Sequence, residues 1–256
     1  MDTEKFVNVS ISPKVLAFFV SKIEDAVGDA IKEDIKEHQL MTQNSTASRI
    51  WDFLNTSIIL GSDSCGCSSI TSNRGPWEMV IAYDPESKCV ITLMREKRFE
   101  EIRRQRKKRK NAHYLDAFSK HLNSDLCSPN KQIFLFEQPS VINFEDAAIM
   151  VEKMIKNFEL GADVIGHHAL ILFDSSGFQL TQARLVIIDA ELDIVYSESL
   201  LKYISAQESV IVDSVSEKYN EYNNPTHGLS LTKKAASRKE TKLKETKKEE
   251  DQGPNL

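Results

Sequence analysis

The sequence is poor in cysteine and glycine and contains no long apolar run. Its four cysteines are too few and too scattered for a disulfide framework in a chain of 256 residues. Its nine glycines form neither G-x-G-x-x-G nor G-x-x-x-x-G-K, which excludes the usual glycine-rich phosphate loops. No apolar run approaches the ~18–20 residues of a membrane helix, and the N-terminus lacks the basic start and apolar block of a secretory signal. We therefore expect a cytoplasmic protein with no membrane partner.

The sequence also lacks the motifs that normally hold a metal or activate a nucleophile. Cys65 and Cys67 form the one close cysteine pair, but their C-x-C spacing differs from the C-x2-C pairs of structural zinc sites. No G-x-S-x-G elbow is present, and the six histidines form no pattern with serine or cysteine. We expect reduced thiols, no metal site and no cofactor.

Apolar residues at helical spacing predict two helices near the N-terminus. Ser12 and Pro13 are typical of a helix start, with serine at the N-cap and proline at the first helical position. Apolar residues then recur every three or four positions, which predicts one long amphipathic helix over residues 13–37. A second helix is predicted over residues 46–60, where a glycine ends it. Residues 61–76 are rich in Ser, Gly and Asn and predict a loop.

Short apolar and β-branched runs predict strands in much of the remaining chain. Asn143 is expected to cap a helix that precedes the last three of these strands. Because the C-terminal connections are too short for crossovers, those strands are predicted to pair antiparallel. The sequence thus predicts an α+β single domain with a five- to six-stranded, mostly antiparallel sheet and helices on one face. The predicted strands span residues 77–83, 89–94, 132–137, 169–173, 179–188 and 192–196.

The apolar content falls sharply after about residue 214. Residues 215–256 are rich in Lys and Glu, and they contain too few apolar side chains to offset the entropy cost of ordering them. The sequence therefore predicts two parts, an α+β globular domain over residues 1–214 and a disordered tail over residues 215–256.

Positive charge is concentrated in one segment of an otherwise acidic chain. The formal net charge is −5, yet residues 95–110 contain ten Lys and Arg against three Glu, a net of +7. We call residues 95–110 the basic segment. Only Phe99 and Ile102 are apolar within it, so it is predicted to form a helix that projects from the domain. Such a helix faces solvent, the acidic remainder of the chain or an external polyanion.

The basic segment supplies the candidate binding residues. Clustered Lys and Arg displace counterions from phosphates, which favours nucleic acid as the partner, with an acidic protein as the alternative. His113 and Tyr114 follow the segment directly and could stack on a ligand. We expect binding without catalysis. The candidate binding residues are Arg95, Lys97, Arg98, Arg103, Arg104, Arg106, Lys107, Lys108, Arg109, Lys110, His113 and Tyr114.

The rival hypothesis is an enzyme, a metal-dependent nuclease of a bacterial conflict or mobile-element system. Metal-dependent nucleases place an Asp and a Glu-x-Lys on adjacent strands, so that carboxylates hold Mg²⁺ and the lysine orients water. Glu86 and Lys88 match the Glu-x-Lys pattern, but they lie in a predicted turn. A metal-independent ribonuclease that uses Arg109 and His113 is less favoured, because such a match is almost unavoidable in so basic a segment. The nuclease hypothesis requires that at least two of five carboxylates converge on one metal position. These are Glu78, Asp84, Glu86, Glu96 and Asp174.

Two other features leave alternatives open. The predicted helix over residues 13–37 would offer a partner face if the protein is an adaptor or an oligomeric subunit, including a homo-oligomer, without chemistry. Trp77 begins a predicted strand, and this position favours packing in the core over contact with a ligand.

Several phrases of the sequence resemble a family of bacterial proteins found mainly in Gram-positive genomes. In order along the chain, and together with the N-terminal helix, these phrases are IWDFLNTSI, RGPWEMVIAYD, LMREKRFEEI, HYLDAF and LDIVY. The resemblance covers about residues 6–205 and excludes the lysine-rich tail, which departs from the pattern. It implies a bacterial, cytosolic protein. That family has no assigned activity, so the resemblance implies no reaction, ligand or site residue.

Overall fold

The computed structural model describes residues 9–39, 42–74, 77–126, 141–158 and 164–204. The predicted strand over residues 132–137 and the predicted tail over residues 215–256 lie outside these ranges. No described helix has both the length and the apolar character that crossing a membrane requires. The described α-helices are α1 (Pro13–Val27), α2 (Asp29–His38), α3 (Thr46–Gly61), α4 (Glu96–Gln105), α5 (Tyr114–Leu122) and α6 (Phe144–Ile155). The strands are β1 (Ser68–Arg74), β2 (Trp77–Asp84), β3 (Cys89–Arg95), β4 (His167–Ser176), β5 (Gln179–Ile188) and β6 (Ile194–Ser199).

The six described strands form one mixed sheet in the order β1-β2-β3-β4-β5-β6. Four of the five neighbouring pairs are antiparallel, and β3 and β4 pair in parallel. The parallel pair forms because the chain between these strands is long enough to include α4, α5 and α6 as a crossover. The predicted α+β class and the mostly antiparallel sheet of five to six strands are confirmed.

Helices cover both faces of the sheet, whereas the sequence predicted them on one face. Leu170 and Leu172 of β4 pack into one core cluster with residues of α4, α5 and α6. Phe173 points to the opposite face, where its ring lies 5.5 Å from that of Trp51 in α3. β4 is buried without alternation from His168 to Phe173, as is typical of strands covered on both sides. The unbroken apolar run from Ala169 to Phe173 was the sequence signal for a second layer of helices.

The N-terminal helical region consists of two helices that meet at Gly28. α1 begins as predicted, since the Ser12 hydroxyl accepts a hydrogen bond from the Val15 N–H. At Gly28 the backbone leaves the helical conformation (φ −103°, ψ −100°), and its N–H donates to the Glu24 carbonyl at 2.8 Å. A Cβ atom on Gly28 would lie 2.8 Å from that same oxygen, so the bend requires glycine. The apolar periodicity continues through the bend and therefore predicted a single helix.

The segment predicted as a loop over residues 61–76 contains β1. This strand pairs with β2 along its whole length, from Ser68–Tyr83 to Arg74–Trp77. It is the first strand in the order of the sheet, and its sequence SSITSNR has no apolar alternation. Because β-propensity depends on burial and on cross-strand neighbours, a polar strand at this position is not recognisable from composition. The described cysteines in and near this region are buried free thiols: Cys65, Cys67 and Cys89.

Asn123, just after α5, connects that helix to the sheet. Its side-chain amide N–H groups donate to the carbonyls of His168 (3.0 Å) and Ile188 (2.8 Å), and its Oδ1 accepts from the His168 N–H (2.9 Å). Since Leu170 pairs with Val186, His168 and Ile188 would face one another two residues further along β4 and β5. The Asn123 amide therefore replaces ladder hydrogen bonds, and the buried backbone groups at this point stay paired.

Candidate functional site

The basic segment lies on the sheet and does not project from it. α4 follows β3 directly, and its Phe99 and Ile102 side chains are buried in the core. The Arg103 guanidinium lies over the Phe99 ring, 5.6 Å from its centre. Two apolar side chains one turn apart thus hold the helix against the core, and the prediction of a projecting helix is wrong.

Two arginines of the basic segment bind the buried carboxylate of Asp116 in α5. Arg109 donates to the two carboxylate oxygens at 2.8 and 2.9 Å, and Arg106 Nε lies 3.8 Å from one of them. Arg106 also donates to the Ala190 carbonyl at 2.8 Å. These two cations neutralise an acidic group of the protein itself, so they contribute less positive charge to the surface than the sequence predicted.

His113 and Tyr114 form the start of α5. His113 Nδ1 accepts a hydrogen bond from the Leu115 N–H at 3.2 Å, and the Asp116 carboxylate accepts one from the His113 N–H at 2.7 Å. This reciprocal cap begins a new helix at Tyr114, separate from α4. Tyr114 is buried, with its ring 4.4 Å from that of His113. The pair Arg109 and His113, considered as a ribonuclease motif, has these structural contacts instead.

The remaining positive charge of the basic segment is at the surface. Arg98 forms an ion pair with Glu101 one turn further along α4, and the partly buried Arg103 pairs with two neighbouring carboxylates. The side chain of Lys107 lies outside the described part of the chain. The exposed members, which we call the exposed cations, are Lys97, Arg98, Arg104, Lys108 and Lys110.

Two carboxylates of the nuclease hypothesis, those of Asp84 and Glu96, have partners within the domain. Asp84 is buried and accepts a hydrogen bond from the Glu86 N–H at 3.2 Å within the turn after β2. Glu96 and Asp174 are neighbours, and burial together with the Glu96 charge raises the pKa of Asp174. The Arg184 guanidinium, however, already binds the Glu96 carboxylate, with Nε at 2.9 Å. Within the described ranges, no three His, Cys, Asp or Glu side chains are grouped so as to hold a metal ion.

β2 and β3 pair over only a short length. β2 pairs with β1 over seven residues, and β3 pairs with β4 over seven residues. Between β2 and β3, however, the pairing comprises three residue pairs next to the turn and ends at Ala82–Ile91. The β1–β2 hairpin therefore diverges from the rest of the sheet toward Trp77, and we call this gap the sheet fork.

A groove of about 1130 Å³ opens at the sheet fork. Its walls are formed by α3, by β1 and β2, and by the end of β3 with the first turn of α4. β3 belongs to the parallel pair, and the carboxyl ends of parallel strands are the usual location of ligand sites in open sheets. The lining includes aromatic, basic and acidic side chains: Trp51, Asp52, Trp77, Glu78, Arg95 and Arg98.

Both tryptophans of the chain line this groove. Trp77 is 63% exposed, so the prediction that it packs in the core is wrong. Trp51 lies edge-on against Phe173, which supports its ring on the α3 wall. The groove could not be predicted from the sequence. Trp77 lies where β2 does not pair with β3, and the pattern of apolar residues does not show where two strands diverge.

Charge is unevenly distributed around the groove. The Arg95 guanidinium lies 4.5 Å from the centre of the Phe173 ring, at the end of β3. Arg98 lines the groove and is also one of the exposed cations, so the two surfaces are continuous. The α3 and β2 walls carry the exposed carboxylates of Asp52 and Glu78. The groove therefore combines aromatic faces and hydrogen-bond acceptors with a basic end that leads onto α4.

Comparison with protein-family models matches residues 8–248 to a family of unknown function. The match extends past residue 205, where the resemblance noted in the sequence ended, and includes most of the predicted tail. No curated protein matches the chain, and no solved structure matches it.

Proposed function

The chain belongs to DUF5986, a family of unknown function, and we propose from its geometry that it binds nucleic acid without catalysing a reaction. In this proposal the exposed cations contact the phosphate backbone. The proposal concerns five of the candidate residues identified in the sequence. Of the others, Arg103, Arg106, Arg109 and His113 have contacts within the domain, and Arg95 and Tyr114 line the groove.

The observation that carries this proposal is a group of exposed lysines without an ion pair beside arginines that bind carboxylates. Arg106 and Arg109 are bound to Asp116, whereas Lys97, Lys108 and Lys110 form no ion pair with any described residue. Clustered cations without a direct ion pair repel one another, and a polyanion removes that repulsion while it releases its own counterions.

Helical spacing aligns part of this cluster. Lys97, Arg104 and Lys108 follow one another by seven and four residues, so they share one side of α4 and the turn that continues it. A row of cations on one side suits the repeated charge of a phosphate backbone. Its continuity with a groove that holds two tryptophans favours nucleic acid over an acidic protein.

The test is a salt titration of nucleic-acid binding by the full chain, read by fluorescence anisotropy with labelled DNA and RNA. We expect affinity to fall with salt, with a log–log slope of roughly −0.9 per phosphate contact on duplex DNA and roughly −0.7 on single strands. The triple variant Lys97→Gln/Arg104→Gln/Lys108→Gln should weaken binding and make the slope shallower by roughly two to three contacts.

The matched control removes the same charge from exposed positions elsewhere, as Lys36→Gln/Lys153→Gln/Lys156→Gln. This variant should bind nearly as the unchanged protein does. An absence of binding at about 50 mM salt, or an affinity that ignores salt, would contradict the proposal. Binding of polyglutamate with the affinity measured for nucleic acid would indicate an acidic protein as the partner.

A further inference from the structure

We infer that the groove at the sheet fork receives unpaired bases, so that the nucleic acid bound is single-stranded and enriched in bases that carry amino groups. This inference rests on the proposed function, and it adds the class of ligand and the residues that select it. The exposed cations alone would accept a duplex as readily as a single strand.

The size and openness of the groove suit a chain of nucleotides. Its volume of about 1130 Å³ exceeds the ~300–1,000 Å³ typical of pockets for one small ligand. It lies between α3 and the diverging strands, and it leads onto α4 through Arg98. A strand could therefore place bases in the groove while its backbone continues across the exposed cations.

The two tryptophans provide surfaces on which bases can stack. Trp77 is 63% exposed on the β2 wall, and Trp51 is supported by Phe173 on the α3 wall. In a duplex the faces of the bases are already stacked on one another, so these indoles are accessible only to unpaired bases. Stacking on aromatic side chains is the common mechanism of single-strand binding proteins.

The charges around the groove orient the strand. Arg95 and Arg98 offer cations at the α4 end, whereas Asp52 and Glu78 on the α3 and β2 walls repel phosphate. Phosphates are thus expected near α4 and base edges near the carboxylates. A carboxylate accepts hydrogen bonds from amino groups such as N4 of cytosine, which carries two N–H donors, whereas uracil offers a carboxylate only its N3–H. The groove should therefore prefer cytosine over uracil.

The test compares a 15-mer of cytidine, a 15-mer of uridine, a duplex of about the same length and heparin, which carries negative charge but no bases. Because both tryptophans of the chain line the groove, its intrinsic tryptophan fluorescence reports on this site. We expect the single strands to quench the fluorescence and the cytidine strand to bind more tightly. Heparin should bind through the exposed cations without quenching.

Two variants separate stacking from base preference. Trp77→Ala should weaken single-strand binding roughly tenfold and leave heparin binding unchanged, whereas Phe144→Ala, which removes an exposed aromatic ring outside the groove, should have little effect. Glu78→Gln should reduce the preference for cytidine over uridine, because a neutral amide both donates and accepts.

The outcomes distinguish this inference from the proposed function. If single strands bind without quenching, or if Trp77→Ala binds them as the unchanged protein does, the groove is not the base site and this inference is wrong, while salt-dependent binding still supports the proposed function. Equal binding of duplex and single strand would also overturn the inference about the groove and leave the proposed function supported. If none of the nucleic acids binds, both the proposed function and the inference about the groove are wrong.

Discussion

His168 has no exposed surface and lies inside the sheet beside neutral groups. Its Nε2 lies 2.8 Å from the Thr92 hydroxyl, and its ring stacks at 4.9 Å on Phe118 of α5. Burial lowers the pKa of His168 from 6.5 to about 3, because no residue in the described ranges compensates a charged imidazole at this position. The folded protein therefore holds this histidine neutral.

The neutral His168 predicts a loss of stability in acid. As the pH falls below 6.5, the unfolded chain binds a proton at this position that the folded chain binds only near pH 3. Its contribution to stability is therefore complete above pH 6.5 and decreases as the pH falls from there toward 3. In His168→Gln we expect the free energy of unfolding to fall less steeply with acid, by up to about 1.4 kcal/mol per pH unit.

Urea unfolding between about pH 7 and 4 measures this difference in slope. The slope isolates the titration from the constant cost of replacing a buried ring. His38→Gln, which removes an exposed histidine, is the matched variant. An unchanged slope in His168→Gln would show that the folded and unfolded states bind this proton alike.

The bend between α1 and α2 depends on a single small residue. Gly28 is buried, and a Cβ atom there would meet two backbone carbonyl oxygens, that of Glu24 at 2.8 Å and that of Phe178 at 3.4 Å. Neither oxygen belongs to a flexible side chain, so relief of the clash requires a shift of the backbone. The direction of α2 therefore depends on the absence of a side chain at this position.

Gly28→Ala is expected to destabilise the protein by about 1–3 kcal/mol, the usual cost of inserting a methyl group into a packed site. For a domain of this size, that cost corresponds to a fall in melting temperature of roughly 2–12 °C. Thermal unfolding followed by circular dichroism would measure it. The matched control is Gly166→Ala, whose Cβ would meet atoms of Lys88 no closer than 3.4 Å. Equal melting temperatures for the two variants would contradict the steric argument.

Across the whole molecule, acidic groups neutralise part of the basic segment. Arg103 pairs with Asp193 and Arg109 with Asp116, so each joins the segment to another part of the chain. The net charge of +7 counted along residues 95–110 therefore overstates the charge available to a partner. The charge available to a partner is that of the exposed cations, which extend from the edge of the groove along α4.

Residues 214–256 are expected to be dispensable for folding. They contain only scattered apolar side chains, so their removal costs little buried area. A chain that ends at Asp213 should melt within about 2–3 °C of the full chain, a shift equivalent to roughly 1 kcal/mol. Differential scanning calorimetry of both chains measures the difference. A fall of about ten degrees would show that the removed residues pack against the domain, which would extend the domain toward the limit of the family match at residue 248.

Elements with a strong local signal were predictable from the sequence. The Ser12 cap, the Asn143 cap and the strands that became β2, β3 and β5 are present as expected, because capping atoms and apolar runs act within a few residues. The polar strand β1 was not predictable, since its pairing partner supplies the hydrogen bonds that define it. The candidate site shows the same contrast between local and long-range features. The sequence contains the cluster of cations, but it did not predict the groove.

The sequence by itself determined the α+β class, the mostly antiparallel sheet and the concentration of positive charge in residues 95–110, because each depends on composition or on short-range periodicity. Only the tertiary structure decided which of those charges face solvent, because Asp116 and Asp193, which bind Arg109 and Arg103, approach through folding. It also decided that Trp51 and Trp77 share one groove, because the divergence of β2 from β3 is a property of strand pairing across the sheet.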